Sequence, residues 1–357
     1  MPSAAPVAGL AGLGWDDGFA ELFRAEVDRL DPSLQPSAVA GRVLRRDRTV
    51  CTVGTDAGDR QLAIAQRLLA SPLEAPTTGD FVVVAGGDVV AVLERRTAMM
   101  RAAFRDLSAQ VLAANVDTVL AVSSLANPWR PRRVERLLVI AWQTGALPLV
   151  VLTKADLCGE AAEVYDAARA ISPGCAVHVV SALTGQGMEG LAAELAPRTT
   201  SVMIGTSGAG KSTLANFLSN GQAGLATQEA RADGKGRHTT VTRELVHLSN
   251  GALMIDTPGL RAVGLWDAEE ALGDAFSDVE ELALGCRFND CAHDREPGCA
   301  VKEAIEDGRL EAARLESYRR LQREQRRLAA RTDARLRAER AAEFKAFGKQ
   351  MRTQFYR

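Results

Sequence analysis

Eight residues, Gly205-Thr206-Ser207-Gly208-Ala209-Gly210-Lys211-Ser212, limit what this chain can fold into more than anything else in it. They have the spacing G-x-x-x-x-G-K-S, directly after the apolar run Ser201 to Ile204 and at the start of a helix opening at Lys211. Such a loop cradles phosphate only where a strand delivers a glycine-rich curl to a helix N-terminus, so that consecutive N–H groups converge on the phosphate oxygens. Lys211 then reaches the β- and γ-phosphates, the Ser212 hydroxyl ligates Mg²⁺, and Thr213 belongs to the same nucleotide-binding turn.

The neighbouring sequence supplies the rest of a doubly wound α/β domain. Apolar runs at Thr118 to Ser123, Leu147 to Leu152 and Val177 to Val180 alternate with helical patterns at Pro131 to Thr144, Glu160 to Ile171 and Met188 to Leu195. Thr153-Lys154-Ala155-Asp156 ends the second of those strands and names the base. The Asp156 carboxylate accepts from guanine N1–H and the 2-amino group, a donor pair adenine lacks, which disfavours an ATPase. Asparagine is the usual first residue of this motif, and Thr153 replaces it. Ser181-Ala182-Leu183, after the next strand, resembles the backbone clamp on the guanine carbonyl in translation-factor GTPases.

Two further segments face the γ-phosphate. Asp256-Thr257-Pro258-Gly259 follows the strand Ala252 to Ile255 with D-x-x-G spacing, in which Asp256 holds Mg²⁺ through water and the Gly259 N–H senses the γ-phosphate. Arg237-His238-Thr239-Thr240 lies upstream in a glycine-rich stretch, with Thr240 assigned to close over Mg²⁺. Leu260 stands where many GTPases place a water-orienting glutamine. A leucine cannot align water, so His238, whose neutral imidazole accepts a hydrogen bond, is the catalytic candidate. The usual order of these motifs starts with the phosphate loop; here the guanine motif and Ser181-Ala182-Leu183 come first, which is a circular permutation. A doubly wound sheet tolerates it because its original termini lie close together, joined here through Pro197 to Thr200.

The permuted core is flanked on both sides. From Val39 to about Met99, β-rich runs at Ala40 to Leu44, Thr49 to Val53, Gly79 to Val84 and Asp88 to Leu93 suit a small barrel, an OB-fold by preference, although pattern alone does not separate it from an SH3-like barrel. The lead-in to about residue 35 reads as weakly structured, with one amphipathic helix at Asp17 to Leu30. Beyond Phe276 come Cys286, Cys291, His293 and Cys299, four ligands within fourteen residues. Three thiolates and one imidazole make a closed tetrahedral set, so one structural Zn²⁺ is expected and catalysis at the metal is not. Cys51, Cys158 and Cys175 read as core thiols. A long polar helix is expected from about Val301.

The expected architecture is therefore multi-domain: an extension over 1–38, the barrel over 39–99, the circularly permuted P-loop GTPase domain over 100–275, and a zinc-binding domain with a long basic helix and tail over 276–357. The chain carries a net charge of −2, yet from Arg314 to Arg357 fourteen basic residues face five acidic ones, a net of +9 that leaves −11 elsewhere. A basic tail on an acidic body points to nucleic acid. No apolar run is long enough for a membrane span, and Met1 to Leu13 lacks the basic flank and apolar stretch of a secretory signal, so a cytoplasmic protein with no membrane partner is expected. A monomer is expected as well, although nothing in the sequence fixes the oligomeric state.

Together these motifs resemble the ribosome small-subunit-dependent GTPase A family, from Val39 nearly to the end. Gln110-Val111-Leu112-Ala113-Ala114-Asn115-Val116-Asp117 looks like that family's lead into its GTPase domain, and Pro76-Thr77-Thr78-Gly79-Asp80 like its barrel turn. The resemblance implies hydrolysis of GTP to GDP stimulated by the small ribosomal subunit, contact with its rRNA, a role late in that subunit's maturation, and His238 as the water-positioning group.

Overall fold

The computed structural model describes residues 9–102, 109–126, 128–221, 243–256 and 269–326. Strands β1 (Val39–Asp47), β2 (Val50–Thr55), β3 (Gly58–Ile64), β4 (Phe81–Ala85) and β5 (Asp88–Val92) form the N-terminal barrel. Their order is β1-β2-β3-β5-β4, with β4 returning to β1 and β3 parallel to β5. This five-stranded Greek-key closure is the OB-fold arrangement. Inward alternation of Val43, Val53, Leu62, Ile64, Val82 and Val84 fills it. The sequence pattern misses β3, because only Leu62 and Ile64 of that strand turn inward.

A hairpin of β6 (Ala98–Ala102) and β7 (Ala109–Ala114) leads into the α/β core. There β8 (Thr118–Ser124), α2 (Pro131–Trp142), β9 (Leu147–Thr153), α3 (Ala161–Ala170), β10 (Ala176–Val180), α4 (Met188–Glu194), β11 (Thr200–Ile204) and α5 (Lys211–Leu218) follow the predicted alternation. The antiparallel pair β12 (Glu244–His247) and β13 (Leu253–Asp256) completes it. Strands β10, β9, β8, β11 and β13 run parallel in that order, and β12 pairs through Glu244 with Arg45 of β1. Barrel and GTPase core thus share one continuous sheet. Helices α2 and α3 cover one face of the parallel part, α4 and α5 the other, as burial of both faces of a parallel sheet requires.

The N-terminal lead-in is packed where it is described, against the weakly structured expectation. Trp15, Phe19 and Phe23 recur at helical spacing in and before α1 (Asp17–Asp28), and Phe81 of β4 meets Trp15 and Phe19 edge to face and at a tilt. Asp16 caps the helix through Phe19 N and binds both terminal nitrogens of Arg96 at 2.6 and 2.7 Å. Behind this layer Arg42, 1% exposed, donates to the carbonyls of Leu13, Gly79 and Asn115, one each from the lead-in, the barrel turn and the start of the core. Burial pushes its guanidinium down to about 10, while the carboxylates of Asp117 and Asp80 pull the other way.

At the C-terminal end α6 (Glu269–Ala275), α7 (Ser277–Ala283) and α8 (Ala300–Glu306) are followed by helix over 312–326. The single long helix expected from Val301 is therefore interrupted. Gly308 takes φ +72°, its N–H reaches Ile305 O, and Arg309 N–H reaches Ala304 O, a Schellman termination that stops α8. Nor is the second helix polar all round, since Leu315, Tyr318 and Leu321 are buried against the core. Among the described residues no helix is long and apolar enough to cross a membrane.

Candidate functional site

Every described motif residue with a nucleotide role sits at or just past the C-terminal end of a parallel strand, the edge where open α/β sheets bind ligands. Thr153 ends β9, Ser181 follows β10, Gly205 follows β11 and Asp256 ends β13. The phosphate loop runs from Gly205 into α5 at Lys211, with Thr206, Ser207 and Gly208 exposed and Ala209 buried beneath them. Gly210 takes φ +90° as the residue before the helix, and Lys211, Ser212 and Thr213 form its first turn. The Lys211 ammonium folds back over the loop, donating to Gly205 O at 2.7 Å and Thr206 O at 2.9 Å.

Three of the motifs are tied together by hydrogen bonds that sequence does not reveal. The Ser181 hydroxyl donates to Asp156 Oδ1 at 2.5 Å, so one carboxylate oxygen is held in place. Thr153, the residue that departs from the usual asparagine, donates to Ala209 O at 2.6 Å. Its hydroxyl braces the phosphate loop from the guanine loop, the task the missing amide would perform. Lys154 adopts the left-handed region at φ 61°, turning the chain sharply so that Ala155 is buried and Asp156 is presented. Ala182 is half-buried and Leu183 is 83% exposed beside it, a loop whose main chain is open to a ligand.

Ser212 and Asp256 carry a hydroxyl and a carboxylate, oxygen groups of the kind suited to a hard cation. His238, Thr239, Thr240, Gly259 and Leu260 lie outside the described residues, as does the basic tail from 327 onward.

The four C-terminal ligands converge as their spacing predicts. Their donor atoms all lie within 4.8 Å of one another, and Cys286 Sγ is 3.9 Å from Cys299 Sγ and 3.6 Å from His293 Nδ1. A tetrahedron with metal–sulfur arms of about 2.3 Å has sulfur–sulfur edges of about 3.8 Å, so the donor set fits a metal ion. Cys299 is the residue before α8, and His293 takes φ 59° with its Nδ1 3.5 Å from Cys299 Sγ. Burial acts to raise the Cys286 thiol, but the backbone N–H groups of Val301 and Ala300, together with hydrogen bonds from Cys291 and Cys299, hold it below its ordinary value. Cys291 goes the other way, up to about 11, from burial and from the neighbouring Cys299 and Cys286 thiols. A cation relieves that repulsion. Burial, then the Arg319 charge, lowers His293 and favours the neutral imidazole that ligation needs.

One prediction follows from the loop geometry. Lys211→Ala removes a charge-assisted phosphate contact of roughly 1.5–3 kcal/mol or more, so GTP affinity should fall by at least tenfold. Equilibrium titration with a fluorescent guanine nucleotide checks it, and unchanged affinity would remove Lys211 from the phosphate site.

Comparison with known proteins gives concordant findings. The sequence profile of the RsgA GTPase family matches residues 92–266. A small ribosomal subunit biogenesis GTPase RsgA of Streptomyces coelicolor is 46% identical over 348 residues, covering 95% of this chain and 93% of that protein. The protein of the same name from Opitutus terrae is 43% identical over 343 residues, covering 91% and 92%. Among solved structures, YjeQ from Thermotoga maritima superposes with a TM-score of 0.62 at 27% identity over 80% of this chain and 97% of that one. YloQ, described as a circularly permuted GTPase, gives 0.57 at 26% over 80% and 94%.

Proposed function

This chain belongs to the RsgA GTPase family, and we propose that it hydrolyses GTP to GDP and phosphate on the small ribosomal subunit, as a late step in that subunit's maturation. The observation that carries the reading is the pair of hydrogen bonds, Ser181 to Asp156 and Thr153 to Ala209, that joins the guanine loops to the phosphate loop. A phosphate loop alone serves many nucleotides; one braced to an oriented carboxylate serves guanine.

In this reading Asp156 accepts from the guanine N1–H and 2-amino group, with Lys154, Ala155, Ala182 and Leu183 framing the base. Lys211 and the loop N–H groups from Gly205 to Thr213 bind the phosphates. Ser212, Thr240 and Asp256 would hold Mg²⁺, which neutralises charge on the β- and γ-phosphate oxygens. His238 accepts a hydrogen bond from the attacking water and aligns it, and the Gly259 N–H reports the γ-phosphate to α6 and the metal domain beyond it. Cys286, Cys291, His293 and Cys299 hold Zn²⁺ in a purely structural site. The barrel and the basic tail contact rRNA, and the protein works as a cytoplasmic monomer. The domain limits of 39–99, 100–275 and 276–357 assign these tasks to barrel, nucleotide core and metal unit.

The test is His238→Ala in the full-length protein, with small subunits present. GTP affinity should hold while subunit-stimulated kcat falls by about 10²-fold or more, the usual loss for a water-positioning group. Turnover at the wild-type stimulated rate would take His238 out of the reaction.

A further inference from the structure

The barrel turn Pro76-Thr77-Thr78-Gly79-Asp80 is bound more tightly than a surface turn needs to be. Asp80 is fully buried, accepts from Thr77 N at 2.7 Å and takes two hydrogen bonds from Arg95. Gly79 N–H bonds Val43 O, Arg42 holds Gly79 O, and the Ala114 N–H donates to Thr78 O. Gly79 itself takes φ +94°, and a Cβ there would stand 2.2 Å from Ala114 O and 2.9 Å from Ile255 Cδ1. The turn is therefore a rigid block pressed against β7 and against the residue that precedes Asp256.

From this block two hydroxyls reach beyond the barrel: Thr77 Oγ1 donates to Leu112 O of β7 at 3.4 Å, and the Thr78 hydroxyl reaches the start of β12. Thr78, 1% exposed, donates through Oγ1 to Arg243 O at 3.1 Å, across 165 positions of sequence. Arg243 immediately precedes Glu244, and Glu244 is the register partner of Asp256 in the β12–β13 pair as well as of Arg45 in β1. The Arg243 carbonyl, beside the Glu244–Arg45 pairing, is thus a point at which the barrel grips the strand that braces Asp256.

We propose that Thr78 is a positioning residue for GTP hydrolysis: by fixing the Arg243 carbonyl it sets the β12 strand against which Asp256 is aligned, and it makes the barrel part of the hydrolytic machinery. It touches no nucleotide. Its effect belongs to the chemical step, because the base and the phosphate loop are held from β9, β10 and β11, away from β12. The proposal rests on the GTPase reading given above.

The experiment compares Thr78→Val, which keeps the shape and removes the donor, with Thr78→Ser, which restores it, in the full chain. Nucleotide affinity and single-turnover GTP hydrolysis are measured with and without small subunits, and amide exchange is followed over residues 243–247. Loss of one hydrogen bond of ordinary strength corresponds to a rate change of about fivefold. Thr78→Val should keep guanine nucleotide affinity within about twofold, lose about fivefold in kcat and exchange faster at 243–247, whereas Thr78→Ser should match wild type. A lowered melting temperature with wild-type kcat in Thr78→Val would overturn the proposal. His238→Ala, run in parallel, separates the two ideas: its loss of turnover beside a fully active Thr78→Val overturns only the barrel coupling, full activity in both overturns the coupling and takes His238 out of the reaction as well, and absence of GTP turnover in the wild type overturns the GTPase reading itself. If Thr78→Val does not fold, Thr78→Ala carries the same comparison.

Discussion

Stripping the metal from the Cys286, Cys291, His293 and Cys299 cluster, by a chelator or by Cys299→Ser, is expected to melt the segment from about Leu284 to Glu306 while nucleotide binding survives. Binding of a structural Zn²⁺ is worth about 10–16 kcal/mol in small metal-dependent units, far more than the local packing supplies. That packing is slight: α8 buries Val301 and Ala304, Leu284 is 88% exposed, and residues 286–299 contain no helix or strand. Cys299 is both one of the four converging candidate ligands and the residue from which α8 starts, so its loss strikes the cluster and the helix at once. The nucleotide loops, on β9, β10 and β11, share no ligand with the cluster. Metal analysis, limited proteolysis and nucleotide titration on the same samples check the outcome. Acid should have the same effect as a chelator, because protons compete for the thiolates and for His293, and stability bound to the metal is lost as pH falls. A wild-type protein purified without metal and yet resistant to protease at 284–306 would contradict the whole reading of this unit.

What could be read from sequence divides along a physical line. The phosphate loop, the guanine loops, the Cys₃His set and the strand–helix alternation are local patterns whose chemistry demands particular residues at fixed spacing, and the structure brings the described members together accordingly. Contacts between distant segments left no such trace. Thr153 was legible as a departure from asparagine, but not that its hydroxyl would reach Ala209. Thr78 stood within a family-like turn with no role attached, since its partner is 165 positions away. The N-terminal lead-in looked idle because its aromatic stripe has meaning only once Phe81 of the barrel covers it. The charged composition of the C-terminal helix concealed buried positions for a similar reason: Arg314 and Glu135 look like ordinary surface charges until they are brought face to face.

Arg314→Met is expected to destabilise the protein by about 3–5 kcal/mol, the cost of leaving a partner charge buried and unpaired. Arg314 is 4% exposed and Glu135, on α2, is 2% exposed. The guanidinium donates to Glu135 Oε1 at 3.0 Å, to both Asp278 oxygens at 2.8 and 3.0 Å and to Ala275 O at 2.7 Å, and it lies 4.0 Å over the Phe276 ring. Ser317 donates to the second Glu135 oxygen. One side chain thereby fastens the helix over 312–326 to α2, to the end of α6 and to α7. The flanking pairs Arg132 with Glu316 and Arg136 with Glu324 are partly exposed and add little by comparison. With methionine at 314, Glu135 keeps only the serine hydroxyl, and Asp278, being partly exposed, turns to water. Replacing both members, Arg314→Met with Glu135→Leu, removes the stranded charge and should recover most of the loss, since a buried pair often gains no more than an apolar one. Urea denaturation of the single and double variants measures this, and a single variant within about 1 kcal/mol of wild type would show that the network is not what anchors the helix. The expected result has a functional edge. Helix α6 is the first described element after the Asp256 motif, and Arg314 grips its last carbonyl. Cutting that grip should therefore free the helix over 312–326 from any movement of α6, while Arg314→Met retains GTP affinity.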